Sequence, residues 1–324
     1  MTERLWLDIS ATEYHDLPAV SSGGLKTYEK FGGLEYHSQY IAKTKVSEET
    51  TAKRLGTAFH CAMEDPDSWQ TGYMLRPTIA TDQGLLAIVR DLMPEKTKAA
   101  APVLGEPLNM AMKFHKAYME LVEQDARANG KTLMTAAEYE IIDLQIASVY
   151  DNPECRDLVG QKTRSNVELA CVWECPETGM PIKALVDLLV GDVVVDFKTT
   201  KAPNGYAFCR DADNYGYHFQ AAHYLYVTGC AEFRFISVTS EALLKTGSHC
   251  EANVWRVPPR RLEDAHLKNL QVLQAVKDNT ESAKTSEVDC QGVPFSWHNE
   301  GWSATLPLDV DHFRGDGLVG FEDE

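Results

Sequence analysis

Two aspartates and a lysine in the middle of the chain have the spacing of a metal-dependent hydrolytic site. Asp187 lies in one apolar run, and the next run carries Asp196 and Lys198. The two-residue turn Gly191-Asp192 between the runs predicts antiparallel strands that bring Asp187 close to Asp196. Asp196 and Lys198 are two residues apart and therefore share one strand face. Two carboxylates beside an ammonium suit a hard cation such as Mg²⁺, and the lysine can orient or deprotonate a water, which is the equipment for phosphodiester hydrolysis.

A buried ion pair between Asp196 and Lys198 is the alternative interpretation, because such pairs are common on strand faces without any catalytic role. The second aspartate weighs against it. Like charges held close together need a cation, and an unpaired Asp in an apolar strand costs several kcal/mol. The residues of this motif by themselves leave both interpretations open.

Two further pairs of residues have helical spacing. Gly56 and His60 are four apart, so Gly56 allows a close backbone approach and His60 can offer an imidazole to a metal or phosphate. Gln220 and Tyr224 are also four apart, on the helix expected after the D-x-K strand, where they can bond a phosphate or hold Lys198. A core histidine and an ordinary amphipathic helix are the alternatives for these two motifs.

In this order, G-x-x-x-H, an Asp within a strand, D-x-K and Q-x-x-x-Y resemble the motifs of the PD-(D/E)XK nuclease superfamily in its RecB-type branch. The run YHDLPAVSSGGLK, residues 14–26, resembles the start of the exodeoxyribonuclease VIII (RecE-type) nuclease domain. The resemblance covers about residues 12–230. One departure is Phe31-Gly32-Gly33, which stands where the RecB-type branch often has Cys-Pro.

The resemblance implies a role for each residue of the expected metal site. Asp187 and Asp196 would bind the metal, and Lys198 would position or activate the attacking water. The backbone carbonyl of Phe197 would be a further metal ligand. His60 would contribute its imidazole to the same metal site.

The residues around that site are assigned more loosely. By resemblance, Gln220 and Tyr224 would lie on an active-site helix near the DNA backbone. Glu168 is expected as an outer-shell acid. Arg54 and Arg164 are our candidates for binding a 5′-phosphate, since DNA binding depends on neutralisation of phosphates by Lys and Arg. A solvated charged face is the alternative for both arginines.

The function that the resemblance implies is a Mg²⁺-dependent exodeoxyribonuclease, with Mn²⁺ as a possible substitute. It would degrade one strand of linear double-stranded DNA from its end, 5′→3′. The 3′ single-stranded tails would serve recombination with a single-strand-annealing protein, in a phage or prophage setting. The alternatives are an exonuclease of opposite polarity, a structure-specific endonuclease, or a non-catalytic DNA-binding assembly protein with a relic site. No iron–sulfur cluster is expected, because the late cysteines are isolated.

The charge of the chain bears on how it would hold DNA. The 31 Lys and Arg against 48 Asp and Glu give a net charge of −17, which repels DNA unless the field is locally inverted. A homo-oligomeric ring, a trimer or tetramer, would line its passage with basic residues, as in similar exonucleases. The acidic tail with Trp297 and Trp302 is a candidate for contact with a neighbouring subunit.

Composition and cysteine usage predict a cytoplasmic globular protein. Apolar residues make up 44% of the chain and charged residues 24%, which excludes wholesale disorder. Met1–Ser10 lacks the apolar segment of a signal peptide, and no stretch reaches the ~20 apolar residues that a membrane span needs. The eight scattered cysteines indicate reduced thiols rather than a disulfide framework.

The predicted fold is α/β (α+β), a mixed β-sheet core of PD-(D/E)XK type flanked by helices, with a helical N-terminal half. We expect one nuclease domain over 1–278: a helical part over about 1–152, a sheet-containing catalytic core over 153–257 and a closing helix over 258–278. Residues 279–324 would be an acidic tail. The periodicity predicts strands over 167–174, 182–190, 193–198, 233–239 and 252–257, helices over 84–93, 106–128 and 135–150, an irregular lead-in over 1–20 and a loop over 201–213.

Overall fold

The computed structural model describes residues 3–45, 50–76, 119–202, 204–240, 250–289 and 292–298. The architecture is a mixed α/β fold with a central, mostly antiparallel sheet flanked by helices, so the predicted fold class is confirmed. The helix predicted over 84–93 and most of the one over 106–128 lie outside the described residues. None of the described helices is both long and apolar enough to cross a membrane.

The strands, in chain order, are β1 (Leu5–Leu7), β2 (Val20–Ser21), β3 (Tyr73–Leu75), β4 (Thr132–Met134), β5 (Val167–Glu174), β6 (Pro181–Val190), β7 (Val193–Thr200), β8 (Glu232–Thr239) and β9 (Ala252–Arg256). The helices are α1 (Ala11–Asp16), α2 (Ser22–Phe31), α3 (Gly33–Tyr36), α4 (Thr51–Glu64), α5 (Pro66–Gly72), α6 (119–128), α7 (Ala136–Asp151), α8 (Pro153–Val159), α9 (Gly205–Asn214), α10 (Tyr217–Thr228) and α11 (Pro259–Ala283). A π-helical turn (His37–Ile41) follows α3, and a 3₁₀ turn (Phe295–His298) follows α11.

The large sheet has the strand order β1-β5-β6-β7-β8-β9, with β2 pairing parallel to β6. The β7–β8 pair is also parallel, and the chain crosses between these strands through α9 and α10. β5, β6 and β7 form the predicted antiparallel meander. Gly191 turns the chain from β6 to β7 with a φ of +59°, a conformation that glycine adopts without strain.

The sheet forks between β6 and β7. Their ladder contains only three pairs and ends at Leu188 and Val195, whereas β7 pairs with β8 along its whole length from Val193 to Thr200. The carboxyl half of β7 is therefore held from one side only. The gap opens where Asp187 and Asp196 come next in the register.

β6 also changes face at this point. Ala184 and Val186 lie in the hydrophobic core on one side of the sheet, while Leu188 and Val190 lie in the core on the other side. An even-numbered series would stay on one face of a regular strand, so the strand is locally irregular at Asp187. The neighbouring strand β5 is irregular there too, because Glu168 has a φ of +51°. This irregularity turns the Asp187 side chain toward the fork.

Helices cover both faces of the sheet. α2, α10 and α11 pack on one face around residues such as Leu25, Val227 and Val276. α4, α7 and α8 pack on the other face around Phe59 and Ile142. Two helical layers with a sheet between them bury both faces of the central strands, which explains their continuous apolar runs.

Two segments predicted as irregular are ordered instead. The described part of the lead-in, from residue 3 onward, contains β1, α1 and the start of β2, and the buried Lys183 binds it to β6 by donating to the carbonyls of Tyr14 (2.7 Å) and Leu17 (2.9 Å). The predicted loop over 201–213 is wrong from Gly205 onward, where α9 begins. Asn204 caps that helix by accepting the N–H of Ala207 at 3.0 Å, so the polar residues mark a helix start rather than a loop.

The C-terminal segment packs on its own chain. α11 continues beyond residue 278 to Ala283, and the turn that follows buries Trp297. The Trp297 ring stacks on Tyr36 with 5.7 Å between ring centroids. The expectation that Trp297 anchors the tail to a neighbouring subunit is therefore wrong. Trp302 lies outside the described residues.

Candidate active site

A histidine and two carboxylates meet at the fork of the sheet. α4, capped by Thr50, carries His60 and Glu64 one helical turn apart. His60 Nδ1 lies 3.0 Å from Glu64 Oε1 and 3.4 Å from Asp187 Oδ2 on β6. Ligand atoms of all three residues lie within 4.8 Å of one another, close enough to hold one metal ion.

Glu64 is the residue of this cluster that the sequence analysis did not assign. The sequence could have identified Glu64, because it follows His60 by four residues, the same helical spacing that separates Gly56 from His60. Gly56 is not required by space: an added Cβ would lie 3.5 Å from Thr199 Oγ1, an ordinary contact. The expected close backbone approach at Gly56 is therefore wrong.

The electrostatics of the cluster suit a cation. Burial raises the pKa of Asp187 to about 8, and the nearby charge of Asp196 adds to the shift. Burial alone would lower the pKa of His60, but Asp187 and Glu64 outweigh it and raise the pKa to about 9. The protons that these groups hold are the ones that a bound metal would replace.

Asp196 and Lys198 lie on the other branch of the fork. Asp196 is almost fully buried, and its Oδ1 accepts a hydrogen bond of 2.5 Å from Gln220 Nε2. Its Oδ2 forms an ion pair with Lys198 and meets no hydrogen-bond partner among the described residues. Burial lowers the pKa of Lys198, but Asp196 and Asp187 outweigh it and raise the pKa, so the side chain stays an ammonium.

The fork itself is held open by a side chain. Asp187 Oδ2 accepts the backbone N–H of Phe197 at 2.8 Å, which replaces the next ladder bond between β6 and β7. The Phe197 ring is buried and meets the His60 ring edge-on, with 6.0 Å between centroids. The metal-ligand role of the Phe197 carbonyl stays a prediction.

Helix α10 packs beside Asp196 and supplies the hydrogen bond from Gln220. Gln220 and Tyr224 lie one turn apart on this helix, and both are buried. Tyr224 has its pKa raised by burial, while its hydrogen bond with Gln220 acts in the opposite direction. Tyr224 therefore lies behind Gln220 as part of the packing around Asp196, and contact between Tyr224 and a DNA backbone stays a prediction.

Lys26 is a second lysine near the site that the sequence analysis did not single out. Its stem lies against Gly216, where an added Cβ would be 3.2 Å from Lys26 Cδ. Burial, followed by the repulsion of Lys198, lowers the pKa of Lys26 to about 8, and Asp196 acts in the opposite direction. An ammonium placed in this way can accept an anionic partner from outside the chain.

A polar cavity of about 500 Å³ adjoins the group formed by His60, Glu64 and Asp187. Glu64 and Glu168 line it together with Lys162 and Arg164, so the predicted outer-shell acid and one predicted phosphate ligand share one space. Burial raises the pKa of Glu168, with the charge of Glu64 as the next cause. The roles of Glu168 and Arg164 stay predictions.

Arg54 is placed differently. Its guanidinium forms an ion pair with Glu138 and donates to the carbonyl of Leu133 at 3.2 Å, which ties α4 to the start of α7. An incoming phosphate would have to compete with these partners. The role of Arg54 in binding a 5′-phosphate stays a prediction, and such binding would break its contacts with Glu138 and Leu133.

The residues fit a divalent metal. The donor set around the fork consists of carboxylate oxygens and one imidazole, and the buried Asp196 Oδ2, which pairs with Lys198, meets no hydrogen-bond partner in the described part of the chain. Asp196 lies outside the tight group of His60, Glu64 and Asp187, although its charge reaches Asp187. The paired acids and the lysine at a forked sheet define a metal-dependent phosphodiester hydrolase.

Comparison with known proteins gives the family. The sequence profile of the PD-(D/E)XK nuclease superfamily matches residues 20–294, and the chain belongs to this superfamily. No curated protein matches the chain. Among solved structures, the chain is similar to a crystal structure from Eubacterium rectale described as a "Putative exonuclease". The two chains share 14% sequence identity with a TM-score of 0.50, over 96% of this chain and 99% of the other, which shows a common fold.

Proposed function

We propose that this protein is a divalent-metal-dependent exodeoxyribonuclease that degrades one strand of linear duplex DNA, 5′→3′. The observation that carries the proposal is the forked sheet, which places Asp187, Asp196 and Lys198 around one point, with the buried Asp196 carboxylate paired to the Lys198 ammonium. The polarity and the 3′-tailed product come from the resemblance of residues 14–26 to the RecE-type nuclease domain. The description of the structural neighbour as an exonuclease supports the same class.

A bound Mg²⁺ would supply two kinds of chemistry here: it lowers the pKa of a water and stabilises charge on the phosphate. Asp187, Glu64 and His60 would hold it, and Asp196 would add its Oδ2, the oxygen that also pairs with Lys198. Carboxylate oxygens suit both Mg²⁺ and Mn²⁺, so Mg²⁺ is our proposal for the metal and Mn²⁺ a substitute for it.

Lys198 is protonated, as a group that orients the attacking water by donating a hydrogen bond must be. Since the two aspartates raise its pKa, the ammonium keeps its proton at neutral pH and can donate to the attacking water or to a non-bridging phosphate oxygen. Gln220 fixes the Asp196 carboxylate by its hydrogen bond to Oδ1. Asp196 in turn fixes Lys198, so the three residues form one preorganised unit.

DNA must approach a strongly acidic protein, and the basic side chains near the site decide where. Lys26 beside Lys198, and Arg164 in the adjoining cavity, are the cations that we assign to the substrate phosphates. A ring-shaped trimer or tetramer would keep the duplex at these residues despite the net charge of −17. A single-strand-annealing protein would take over the tail that the enzyme leaves.

The test is cleavage of end-labelled linear duplex DNA with Mg²⁺, with Mn²⁺ and with a chelator. We expect stepwise shortening from the 5′ end, only with metal, and faster with a 5′-phosphate than with a 5′-hydroxyl. Closed circular DNA of the same sequence is the control and should stay intact.

Three outcomes would change the proposal. Cutting of the closed circle would favour the structure-specific endonuclease, and shortening from the 3′ end would reverse the polarity. Binding of linear DNA without cleavage in any divalent metal would favour the non-catalytic DNA-binding protein. Light scattering at micromolar concentration tests the ring, which a monomer with full processive activity would exclude.

A further inference from the structure

Two tyrosine rings lead from the ammonium of Lys198 to the protein surface. The first, Tyr217, begins α10, and the centroid of its ring lies 5.3 Å from Lys198 Nζ. It is wedged against Phe235 of β8, with 5.3 Å between ring centroids. The second, Tyr215, stacks on Tyr217 at 5.9 Å and 28° between ring planes.

The outer ring is open to solvent. Tyr215 is 64% exposed, although Tyr217 covers one of its faces. It lies in the short connection between α9 and α10, where Gly216 takes a φ of +63° and sets the direction in which α10 leaves. Exposed tyrosines are common on protein surfaces, but this one extends a fixed row of rings that begins at the reactive lysine.

Tyr206 shows what an exposed tyrosine without that placement looks like. It lies in the first turn of α9, the helix that ends just before Tyr215, and is 83% exposed. It makes no ring contact within the described residues. Tyr206 and Tyr215 are nine positions apart, and about 100° of rotation per residue, continued through the right-handed helical backbone of Tyr215, places them on opposite sides of the helix axis. Only Tyr215 is therefore positioned next to the active site.

The charges beside Tyr215 are compatible with a nucleic acid. Asp213, the nearest acidic residue in sequence with an ion pair, is neutralised by Arg261 at 2.8 Å. Lys26 packs against Gly216, directly after Tyr215, and supplies positive charge on the active-site side. A strand whose phosphate lies at Lys198 would thus meet an aromatic face next to its bases.

We propose that Tyr215 stacks on a base of the strand being cut, beside the phosphate held at Lys198. The inference rests on the proposed nuclease function and adds a substrate-binding residue to it. Every base has a π-face, so stacking holds a nucleotide without selecting its sequence. This property suits an enzyme that passes through any sequence, and it positions the nucleotide while the carboxylates and Lys198 act on the phosphate.

The experiment compares Tyr215→Ala, Tyr215→Phe and Tyr206→Ala with the wild type. We expect Tyr215→Ala to raise the KM for linear duplex DNA roughly tenfold, with little change in kcat, because stacking on one base contributes to binding at that scale. Tyr215→Phe keeps the ring and should behave as the wild type. Tyr206→Ala is the matched control and should also behave as the wild type.

Stacking itself is read from 2-aminopurine placed at the terminal or the penultimate nucleotide of the labelled strand, with the DNA bound in a chelator so that nothing is cut. Fluorescence should be quenched by the wild type, by Tyr215→Phe and by Tyr206→Ala, but not by Tyr215→Ala. Quenching that survives in Tyr215→Ala, or is lost equally in Tyr206→Ala, overturns the proposal.

The same series separates this inference from the function it rests on. Wild-type cleavage with unchanged kinetics in Tyr215→Ala would refute the stacking role and leave the nuclease function intact. DNA binding and Tyr215-dependent quenching without cleavage in any metal would refute the nuclease function and leave the stacking role intact. Absence of DNA binding by the wild type would refute both.

Discussion

Lys183 and Lys198 lie on the neighbouring strands β6 and β7, yet their ammonium groups have opposite surroundings. Lys183 is 5% exposed and donates to the backbone carbonyls of Tyr14, His15 and Leu17. Burial lowers its pKa to about 8. The Lys198 side chain is 17% exposed and pairs with the carboxylate of Asp196, and carboxylates raise its pKa.

The difference separates a lysine that holds the N-terminal segment from the lysine for which we propose a role in the reaction. Backbone carbonyls satisfy the Lys183 donors but bring no full negative charge, so this lysine joins the N-terminal segment to the sheet. Carboxylates keep Lys198 charged at the point where a phosphate would arrive. The sequence motif YH-x-L-P belongs to the first region, because its backbone wraps around Lys183.

The largest expected effect is on the catalytic side. Lys198→Met should lower the cleavage rate at least 10²-fold, because one preorganised donor to the reacting phosphate is lost. The variant also leaves the buried Asp196 carboxylate without its cation, so the melting temperature should fall and rates are compared per folded molecule. Rates are measured on end-labelled duplex DNA at saturating Mg²⁺. A variant with the wild-type rate would remove Lys198 from the mechanism.

Lys183→Met should lower the stability of the protein and leave cleavage nearly unchanged. Three carbonyls lose the ammonium that they share, although those of Tyr14 and Leu17 keep backbone donors, and the loss costs about 2 kcal/mol in the free energy of unfolding. Urea denaturation measures the loss, and cleavage per folded molecule should stay within about twofold of the wild type, since Lys183 lies outside the catalytic group. A fall in activity as large as that of Lys198→Met, with unchanged stability, would contradict the comparison.

The folding stability contributed by the region around Lys183 should also depend on pH. His223 on α10 is buried and hydrogen-bonds the carbonyl of Lys183 at 3.0 Å; burial, with repulsion from Lys26 and His266, lowers its pKa to about 4. The folded state disfavours the proton, so this contribution to stability is complete above pH 6.5 and is lost as the pH falls toward 4. Between pH 6.5 and 5 the loss is about 2 kcal/mol.

His223→Gln keeps a donor for the Lys183 carbonyl and cannot titrate. Its unfolding free energy should therefore depend less on pH between 6.5 and 5 than that of the wild type, as measured by urea denaturation at each pH. Parallel pH profiles for the two proteins would show that His223 does not carry the acid sensitivity.

The smallest effect is expected at Gln220, which contacts Asp196 and not Lys198 itself. Gln220→Ala removes the 2.5 Å hydrogen bond to Asp196 and should lower kcat about tenfold without changing KM. Gln145→Ala is the matched control: this buried glutamine donates to the carbonyl of Thr239 at 3.0 Å, away from Asp196. It should destabilise the fold with unchanged kcat. Equal kinetic effects of both variants would indicate a general packing defect.

Local sequence signals predict the strands around the candidate site well. The strands β5, β6 and β7 appear within two residues of their expected bounds, because apolar runs and the Gly191-Asp192 turn mark them locally. The D-x-K spacing places Asp196 and Lys198 on one face, where the structure pairs them. These features depend on neighbours within about ten residues.

Features that depend on distant partners are the ones missed. β1 and β2 have two or three residues each and exist only because β5 and β6 pair with them. Glu64 acquires its importance from Asp187, which lies far along the chain. The burial of Trp297 against Tyr36 and the binding of Lys183 to Tyr14 likewise join remote segments, for which a single sequence carries no local pattern.

The parallel pairing of β7 with β8 has a consequence for the newly synthesised chain. A parallel partner can be added only after the connecting segment has crossed over, so β7 lacks its principal neighbour until α9, α10 and β8 have left the ribosome. Contacts of long sequence separation also form slowly. Asp196 and Lys198 therefore reach their final positions late, and an incomplete nascent chain has no assembled site with which to damage the nucleic acids around it.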